Sequence, residues 1–203
     1  GTEANPYLIC TANQLVQSMA SHKNICNFGV PCHFRLGKDI NLGTYENFQP
    51  MAVPYYLRLD GRGYSVSNLT HIDAENVNPA GLFAICSNSE IKNLNLIDPN
   101  VRGRVGVGAL CGNSKFTDLQ IRGGNVEGKG DIGAICGGSY GSKFRRVFNI
   151  NTDIHHGGGY AGGLVGGSSW GDQIYDSLSA SNLIATVPGG SSVGGLVGHL
   201  VQG

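Results

Sequence analysis

The sequence has little charge and no excess of either sign. Its 203 residues include 14 Lys and Arg and 14 Asp and Glu, and charged residues make up only 14% of the chain. Nucleic-acid capture is therefore not expected, because such binding needs a clear basic excess. Apolar runs are also short, and none approaches the roughly 20 residues that cross a bilayer. We expect no membrane insertion and no nucleic-acid partner.

Signatures of catalysis and of cofactor binding are missing as well. None of the six histidines falls in an HExxH arrangement, and neither a P-loop nor a CxxC zinc spacing occurs. We also expect no GxSxG nucleophile elbow. Asp153, His155 and His156 lie together before a glycine-rich run. No spacing fixes them as a ligand set, and a solvated loop is the favoured interpretation. The sequence therefore predicts no catalytic residue, no cofactor and no metal ion.

Six cysteines are too few for a disulfide scaffold, but their number is even. Cys26 and Cys32 flank the turn sequence NFGVP, and we predict a disulfide between them. Cys111 and Cys136 occupy equivalent positions 25 residues apart, and Cys86 extends the same column with an offset of two. Stacked strands bring such Cα atoms within disulfide range, about 4.4 to 6.8 Å. The favoured interpretation of this column is nevertheless a ladder of buried free thiols.

The residue present in excess is glycine, and it is concentrated in the second half. Seven of the 33 glycines precede residue 101 and 26 follow it. A short Gly-apolar-apolar unit recurs as GLFA at 81, GALC at 108, GAIC at 133, GLVG at 163 and GLVG at 195. A second apolar run of strand length follows each of the first four copies, and none contains a helical pattern.

Repeats of 25 to 32 residues with short strands and glycine corners cannot bury an apolar face alone. They must stack on copies of themselves. A propeller blade needs about 40 residues and four strands, so the period is too short for that fold. The sequence therefore predicts an all-β fold, a right-handed parallel β-helix in which equivalent strands pair about 4.8 Å apart.

These residues resemble the GLUG-motif repeats of bacterial surface proteins. The resemblance rests on GLFA, GLVG and GLVG with the strands that follow, and on an entry segment containing GTEANPYLICTANQL, FRLGKDINL and LDGRGYSVSNLT. It implies a parallel β-helix of exported adhesin-like proteins and of accessory regions in some large secreted proteases, and it carries no catalytic residues. We assign residues 1–80 to an N-terminal cap and first coils, and residues 81–203 to the glycine-rich repeat coils of the same β-helix.

A short capping helix is predicted between residues 11 and 21. Thr11 and Gln14 match a capping box, in which the Thr side chain accepts from a helical amide and the Gln side chain reaches back. Leu15, Val16 and Met19 form one apolar face, which we expect to lie across the first coil. An open solenoid end needs such a cover, because it exposes unpaired backbone and apolar side chains.

The two ends of the chain point to a piece of a longer protein. The chain begins at Gly1 without an export signal, as a processed fragment does. The last repeat copy, at 195–198, is followed only by HLVQG. We expect truncation of a longer natural protein, with a homo-oligomer formed through the open C-terminal end as the alternative.

Two glycine- and serine-rich corners, GGSYGSKF at 137–144 and GSSWGDQI at 167–174, align with an interval of 30 residues. This alignment places Tyr140 over Trp170 in a setting that favours exposure. Exposed flat rings one coil apart suit stacking on a sugar ring or on a partner's apolar side chain. The alternative is an aromatic ladder that only packs a corner. The predicted ligand-binding residues are these two aromatics with Tyr160, His155, His156, Arg145 and Arg146.

The same interval aligns Asp118, Arg146 and Asp176 in one column, which a surface charge ladder explains better than a catalytic groove. We therefore predict a non-enzymatic adhesin or recognition module, extracellular at a bacterial cell surface, that binds a glycan or protein of a host or neighbouring cell through exposed loops. A structural spacer or fibre segment of a larger secreted protein is the alternative. A polysaccharide-degrading enzyme comes third, because its site needs carboxylates that converge on one groove.

Overall fold

A computed structural model describes residues 1–21, 29–52, 56–73, 79–111, 114–186 and 192–201. Within these residues the chain forms short β-strands and one α-helix, α1 (Ala12–Ala20). The strands are β1 (Tyr7–Ile9), β2 (Cys32–Leu36), β3 (Ile40–Asn41), β4 (Met51–Ala52), β5 (Leu57–Asp60), β6 (Ser65–Ser67), β7 (Thr70–Ile72), β8 (Phe83–Ile85), β9 (Ser89–Ile97), β10 (Asn100–Arg102), β11 (Ser114–Arg122), β12 (Asn125–Gly128), β13 (Ile132–Gly133), β14 (Cys136–Tyr140), β15 (Lys143–His156), β16 (Tyr160–Gly162), β17 (Val165–Ser169), β18 (Gln173–Tyr175), β19 (Leu178–Ala185), β20 (Ser192–Gly194) and β21 (Val197–Leu200). No helix in this part of the chain has the length and apolar character needed to span a membrane.

The strands stack in parallel along one axis. What we call the long ladder runs through β1, β2, β5, β9, β11, β15 and β18. Every strand pairing in the described residues is parallel. Because β5 pairs with β9, the ladder crosses residue 80 without a break. The chain forms a β-solenoid of about six turns, and the predicted parallel β-helix is confirmed.

Alternation of apolar and polar residues fixes which side of each strand faces the core. Strand β2 buries Cys32, Phe34 and Leu36 and turns the residues between them outward, as the two-residue period of a strand requires. Further along the axis the rings of Phe116 and Phe144 stack with centroids 5.1 Å apart. Because successive coils repeat this pattern, one continuous apolar core follows the axis.

Residues in the left-handed conformation turn the chain at the corners of each coil. Asn93, Asp118, Arg146 and Asp176 form one such column, with φ values of 50° to 54°. The registers of the flanking strands place these residues one above another. Asn and Asp reach this conformation more readily than other residues with a side chain. Their recurrence between apolar runs is therefore a requirement of the backbone.

The predicted capping helix is confirmed. Thr11 is the N-cap, and its Oγ1 accepts a hydrogen bond from the N–H of Gln14 over 3.1 Å. The side chain of Gln14 reaches back as expected, but its Oε1 accepts from the N–H of Cys10, one residue before the N-cap, over 2.7 Å. Leu15 and Met19 are buried in the core. The helix packs against β4, so its apolar face extends the core beyond the first strand of the long ladder.

The free-thiol prediction for the central cysteines is wrong for two of the three. Cys86 and Cys111 form a disulfide, with Cα atoms 6.0 Å apart and a sequence separation of 25 residues. Cys136, one coil further, is a free and buried thiol, and burial raises its pKa far above the usual range. The column therefore contains one covalent link and one apolar filler. The predicted disulfide between Cys26 and Cys32 lies outside the described residues, because Cys26 does.

The predicted alignment of the third and fourth repeats is one residue off. Gly133 pairs with Gly162, the residue before the predicted partner. Tyr140 pairs with Ser169 and not with Trp170. The interval reaches the predicted 30 residues only after the corner, where β15 pairs with β18. The GAIC unit therefore aligns with GGLV at 162–165 and not with the GLVG unit at 163–166, and the corner absorbs the extra residue.

Candidate functional site

Two exposed aromatic side chains lie on neighbouring coils at the corner that precedes the long ladder. Tyr140 ends β14 and Trp170 follows β17, and they are 64% and 58% exposed. The next residues, Gly141 and Gly171, have φ values of 62° and 83°, which glycine adopts at least cost. The N–H of Gly141 donates to the carbonyl of Trp170 over 3.1 Å. The predicted exposure of both rings is confirmed, and we call residues 137–142 and 167–172 the aromatic corner.

The two rings do not stack on each other. Tyr140 lies opposite Ser169, and no ring contact joins Tyr140 to Trp170 within the described residues. Neither ring is buried in the corner. Each ring therefore offers its own face to a ligand.

The carboxylate of Asp172 ties the two coils of the aromatic corner together. It accepts hydrogen bonds from the hydroxyl of Ser139 over 2.5 Å and from the hydroxyl of Ser168 over 2.7 Å. It also accepts from the N–H of Ser142 over 2.6 Å. All three serines are buried, and hydrogen bonds to an ionised acceptor are about twice as strong as neutral ones. The backbone that carries both rings is thereby fixed in the absence of a ligand.

Both halves of the aromatic corner match the G-x-S-x-G pattern of a hydrolase nucleophile elbow, at 137–141 and at 167–171. The expectation that the sequence contains no such pattern is therefore wrong. Such an elbow is a strand-to-helix turn that exposes its serine. Here a strand follows each half, and Ser139 is buried with its hydroxyl directed to Asp172. No histidine in the described residues is hydrogen-bonded to Ser139, whose hydroxyl donates to Asp172 instead.

A groove of about 530 Å³ opens beside Tyr140 on the outward side of the long ladder. Arg58, Lys115 and Lys143 contribute to its lining, together with Glu90. Glu90 forms ion pairs with Lys115 at 3.2 Å and with Arg58 at 4.0 Å. Lys143 has no ion pair with any described residue. The groove therefore presents uncompensated positive charge next to an exposed ring.

The predicted site residues Arg145 and Arg146 have different surroundings. Arg145 is exposed on the outward side of β15, on the same side as Lys143. Arg146 donates to both carboxylate oxygens of Asp118, from Nε over 2.5 Å and from Nη2 over 2.7 Å. This hydrogen bonding holds the pKa of Asp118 below its usual range. The charge-ladder interpretation is confirmed for Asp118 and Arg146, which leaves Arg145 as the arginine available to a ligand.

Three further predicted site residues lie on β15 and β16. His155 and His156 end β15, and Tyr160 begins β16. His156 is buried and His155 half-exposed, because consecutive residues of a strand face opposite sides. The Nδ1 of His156 has no hydrogen-bond partner in the described part of the chain. Tyr160 stacks on His199 with ring centroids 4.1 Å apart. The ring of Tyr160 also faces Gly167 of the aromatic corner, where an added Cβ would lie 3.7 Å from its Cδ2, whereas His155 and His156 lie on the part of β15 that pairs with β12 and β19.

The described residues contain no group of three His, Cys, Asp or Glu side chains placed to hold a metal ion. Asp153 instead accepts a hydrogen bond from the Nδ2 of Asn182 on the next coil over 2.8 Å. The Asp153, His155 and His156 cluster is part of strand β15 and not the predicted solvated loop.

Sequence reasoning missed the residues that flank Arg145 on the outward side. Lys115, Lys143 and Tyr175 lie there, and Tyr175 pairs with Arg145 and is 50% exposed. The available signal was the alternation of charged and apolar residues within each strand. This alternation shows which residues point outward, but it does not show which outward residues of different coils are neighbours. That requires the strand register, and the coils differ in length.

No family model and no curated protein matches this chain. Among solved structures, its fold is similar to a crystal structure of a putative immunoglobulin A1 protease from Bacteroides ovatus. The superposition has a TM-score of 0.72 at 19% sequence identity and covers 98% of this chain and 75% of that chain. A likeness at this identity concerns the fold alone.

Proposed function

We propose that this protein is a non-enzymatic recognition module of a bacterial surface or secreted protein, and that it binds a cell-surface glycan at the aromatic corner. The observation that carries this proposal is the exposure of Tyr140 and Trp170 on a backbone fixed by Asp172. Exposed flat rings stack on the apolar faces of sugars, and a preformed site avoids the entropic cost of ordering.

An extracellular setting accompanies this proposal. The Cys86–Cys111 disulfide supports an oxidising compartment, because disulfides persist mainly in exported proteins. The partner that we propose is a glycan or glycosylated protein on a host or neighbouring cell.

The test uses Trp170 as a built-in probe, because it is the chain's single tryptophan. Titration with a panel of bacterial and host cell-surface glycans should give a saturable fluorescence change with one glycan class. The Tyr140→Ala variant should bind that class about tenfold more weakly or worse, as for a central aromatic contact. Tyr7→Ala is the matched control, since Tyr7 is 42% exposed on the first strand, and it should keep wild-type affinity.

Three outcomes count against the proposal. Unchanged affinity in Tyr140→Ala and in Trp170→Ala, the latter measured by calorimetry, rejects the aromatic corner as the site. Absence of binding across the panel by both methods supports a structural spacer instead. Release of new reducing ends from a bound polysaccharide supports a polysaccharide-degrading enzyme.

A second candidate function is an accessory region of a secreted protease. The similarity of fold to the putative immunoglobulin A1 protease favours it. Incubation with immunoglobulin A1, followed by gel electrophoresis and by a binding assay, separates the possibilities. Binding without cleavage supports an accessory region, cleavage supports a protease, and neither result rejects both.

A further inference from the structure

Positively charged residues are concentrated on the outward side of the long ladder, although the formal net charge of the chain is zero. The ladder's paired outward positions are His33 and Arg35 on β2, Arg58 and Asp60 on β5, Glu90 and Lys92 on β9, Lys115 and Thr117 on β11, Lys143 and Arg145 on β15, and Gln173 and Tyr175 on β18. Six of the chain's 14 Lys and Arg therefore face one side, with two of its 14 acids. We call Arg35, Arg58, Lys92, Lys115, Lys143 and Arg145 the cationic face.

The protein itself neutralises the cationic face only in part, because Glu90 forms ion pairs with Arg58 and Lys115, and Asp60 lies opposite Arg35 and Lys92. Lys115 and Lys143 lie directly opposite each other on neighbouring strands, about 4.8 Å apart at the usual spacing. Like charges in that position destabilise a sheet. Lys92, Lys143 and Arg145 have no ion pair with any described residue. An external anion would relieve this repulsion.

Two grooves follow the cationic face and meet in the middle. The first, of about 290 Å³, is lined by three basic and three acidic residues, so the excess positive charge lies toward the second groove; these residues are Arg35, Arg58, Lys92, Glu3, Asp60 and Glu90. The second, of about 530 Å³, reaches Tyr140 and Lys143. Arg58 and Glu90 line both grooves. A ligand therefore meets a continuous surface that runs along the axis for several coils and ends at the aromatic corner.

The end of this surface combines both kinds of contact that an acidic sugar needs. Lys143 and Arg145 lie on β15, the exposed ring of Tyr175 lies across from Arg145, and Tyr140 ends the strand before the turn. Carboxylate and sulfate groups form strong charge-assisted hydrogen bonds with Lys and Arg. Ring faces stack on the aromatic side chains.

We infer that the ligand is an anionic polysaccharide, with carboxylate or sulfate groups on its sugars, and that it lies along the axis across the cationic face. This inference rests on the proposed glycan-binding function and names its ligand class. From β2 to β18 the surface spans about 24 Å at the usual strand spacing, so several sugar residues are engaged at once. Longer chains should consequently bind more tightly than disaccharides.

The experiment is isothermal titration calorimetry with four probes. These are polygalacturonate for carboxylate groups, chondroitin sulfate for sulfate groups, dextran as a neutral polysaccharide, and oligo-dT as an anion without sugar acids. We expect at least one anionic polysaccharide to bind about tenfold or more tightly than dextran. Raising the salt from about 0.05 M to about 0.5 M should weaken that binding, because screening acts on exposed charges.

Variants locate the contact. Lys143→Gln combined with Arg145→Gln should weaken anionic binding by about tenfold or more. The matched control is Arg104→Gln combined with Lys129→Gln, two exposed cations joined at another corner by a 3.0 Å backbone hydrogen bond, and it should bind as wild type. Circular dichroism checks that both pairs of substitutions leave the fold intact.

The outcomes separate the two proposals. Equal binding of dextran and both anionic probes, lost in Tyr140→Ala but unchanged in Lys143→Gln/Arg145→Gln, overturns this inference and leaves the proposed function standing. Absence of binding to every polysaccharide overturns both. Oligo-dT binding as tight as that of the anionic polysaccharides, with the same loss in the variant, makes the face a general polyanion surface and overturns the glycan assignment.

Discussion

The inward and outward sides of the long ladder belong to the same strands, yet their side chains obey different constraints. Inward positions repeat one chemistry from coil to coil, as with Phe116 and Phe144, which are buried and stacked. Outward positions change, so that Glu90, Lys115 and Lys143 succeed one another in a single row. Packing therefore keeps the inward side mostly apolar, with buried polar exceptions such as Ser89 and Asn149, whereas the outward side is free to match a ligand.

The largest change in the free energy of unfolding is expected from a substitution on the inward side. Phe116→Ala removes a fully buried ring, and we expect the free energy of unfolding to fall by about 3–5 kcal/mol. Thr117→Ala, the next residue on the outward side, should change it by less than about 0.5 kcal/mol. Urea denaturation measures both variants. Similar losses in the two would contradict the division between the sides.

A smaller effect is expected from the covalent link between two inward positions. Replacing Cys86 and Cys111 together by Ala should lower the free energy of unfolding by about 3 kcal/mol, because the disulfide closes a loop with a separation of 25 residues. Cys10→Ala is the control, since Cys10 is a free cysteine. Guanidinium denaturation without reductant makes the measurement. A double variant as stable as wild type would show that the bond does not stabilise the coils.

The smallest effect is expected from the outward ion pair at the corner. Arg146 lowers the pKa of Asp118 in the folded state, so the pair stabilises the protein above the unfolded pKa of about 3.9. That contribution is lost as the pH falls through the lower folded pKa. For a pair this exposed we expect less than about 1 kcal/mol.

The measurement compares wild type with Asp118→Asn by urea denaturation at neutral pH and at a pH below about 3. Wild type should be the more stable at neutral pH, and the difference should shrink in acid. Asp98→Asn serves as the control, because Asp98 is also left-handed but forms no ion pair in the described residues. A difference that persists unchanged in acid would exclude the ion pair as its cause.

The architecture and its cap were predictable because each leaves a local signal. Repeat intervals of 25 to 32 residues are set by the length of one coil. The Thr11 to Gln14 capping box is a four-residue pattern in which the Thr11 side chain accepts and the Gln14 side chain reaches back as expected. Neither inference requires knowing how distant segments align.

Register and covalent pairing were not predictable, because both depend on contacts between coils. The repeat pattern points to Gly163, whereas the strand pairing places Gly162 opposite Gly133. Cys86 lies two positions off its column in the sequence, yet its Cα atom comes within 6.0 Å of that of Cys111. A local sequence pattern does not predict a shift of one or two residues in how neighbouring coils align.

The candidate site was predicted in part for the same reason. Tyr140 and Trp170 stand out by their glycine and serine neighbours, and both are exposed. The other predicted residues follow closely in sequence but lie elsewhere on the coil. His155 and His156 end β15, and Tyr160 is on β16, which belongs to a different sheet from β14 and β17. The cationic face could not be recognised, because it assembles five strands whose spacing along the chain is not constant.

The left-handed corner columns also bear on how far this fold can diverge. At such corners Asn, Asp and Gly are interchangeable for the backbone, as Asn68, Asp98 and Gly123 illustrate in one column. Inside, Leu, Ile, Val and Phe substitute for one another at modest cost when volume is kept. Few positions then demand a particular amino acid. Two such chains can share a fold at 19% identity, because this architecture constrains the backbone conformation and burial of a residue more than its identity.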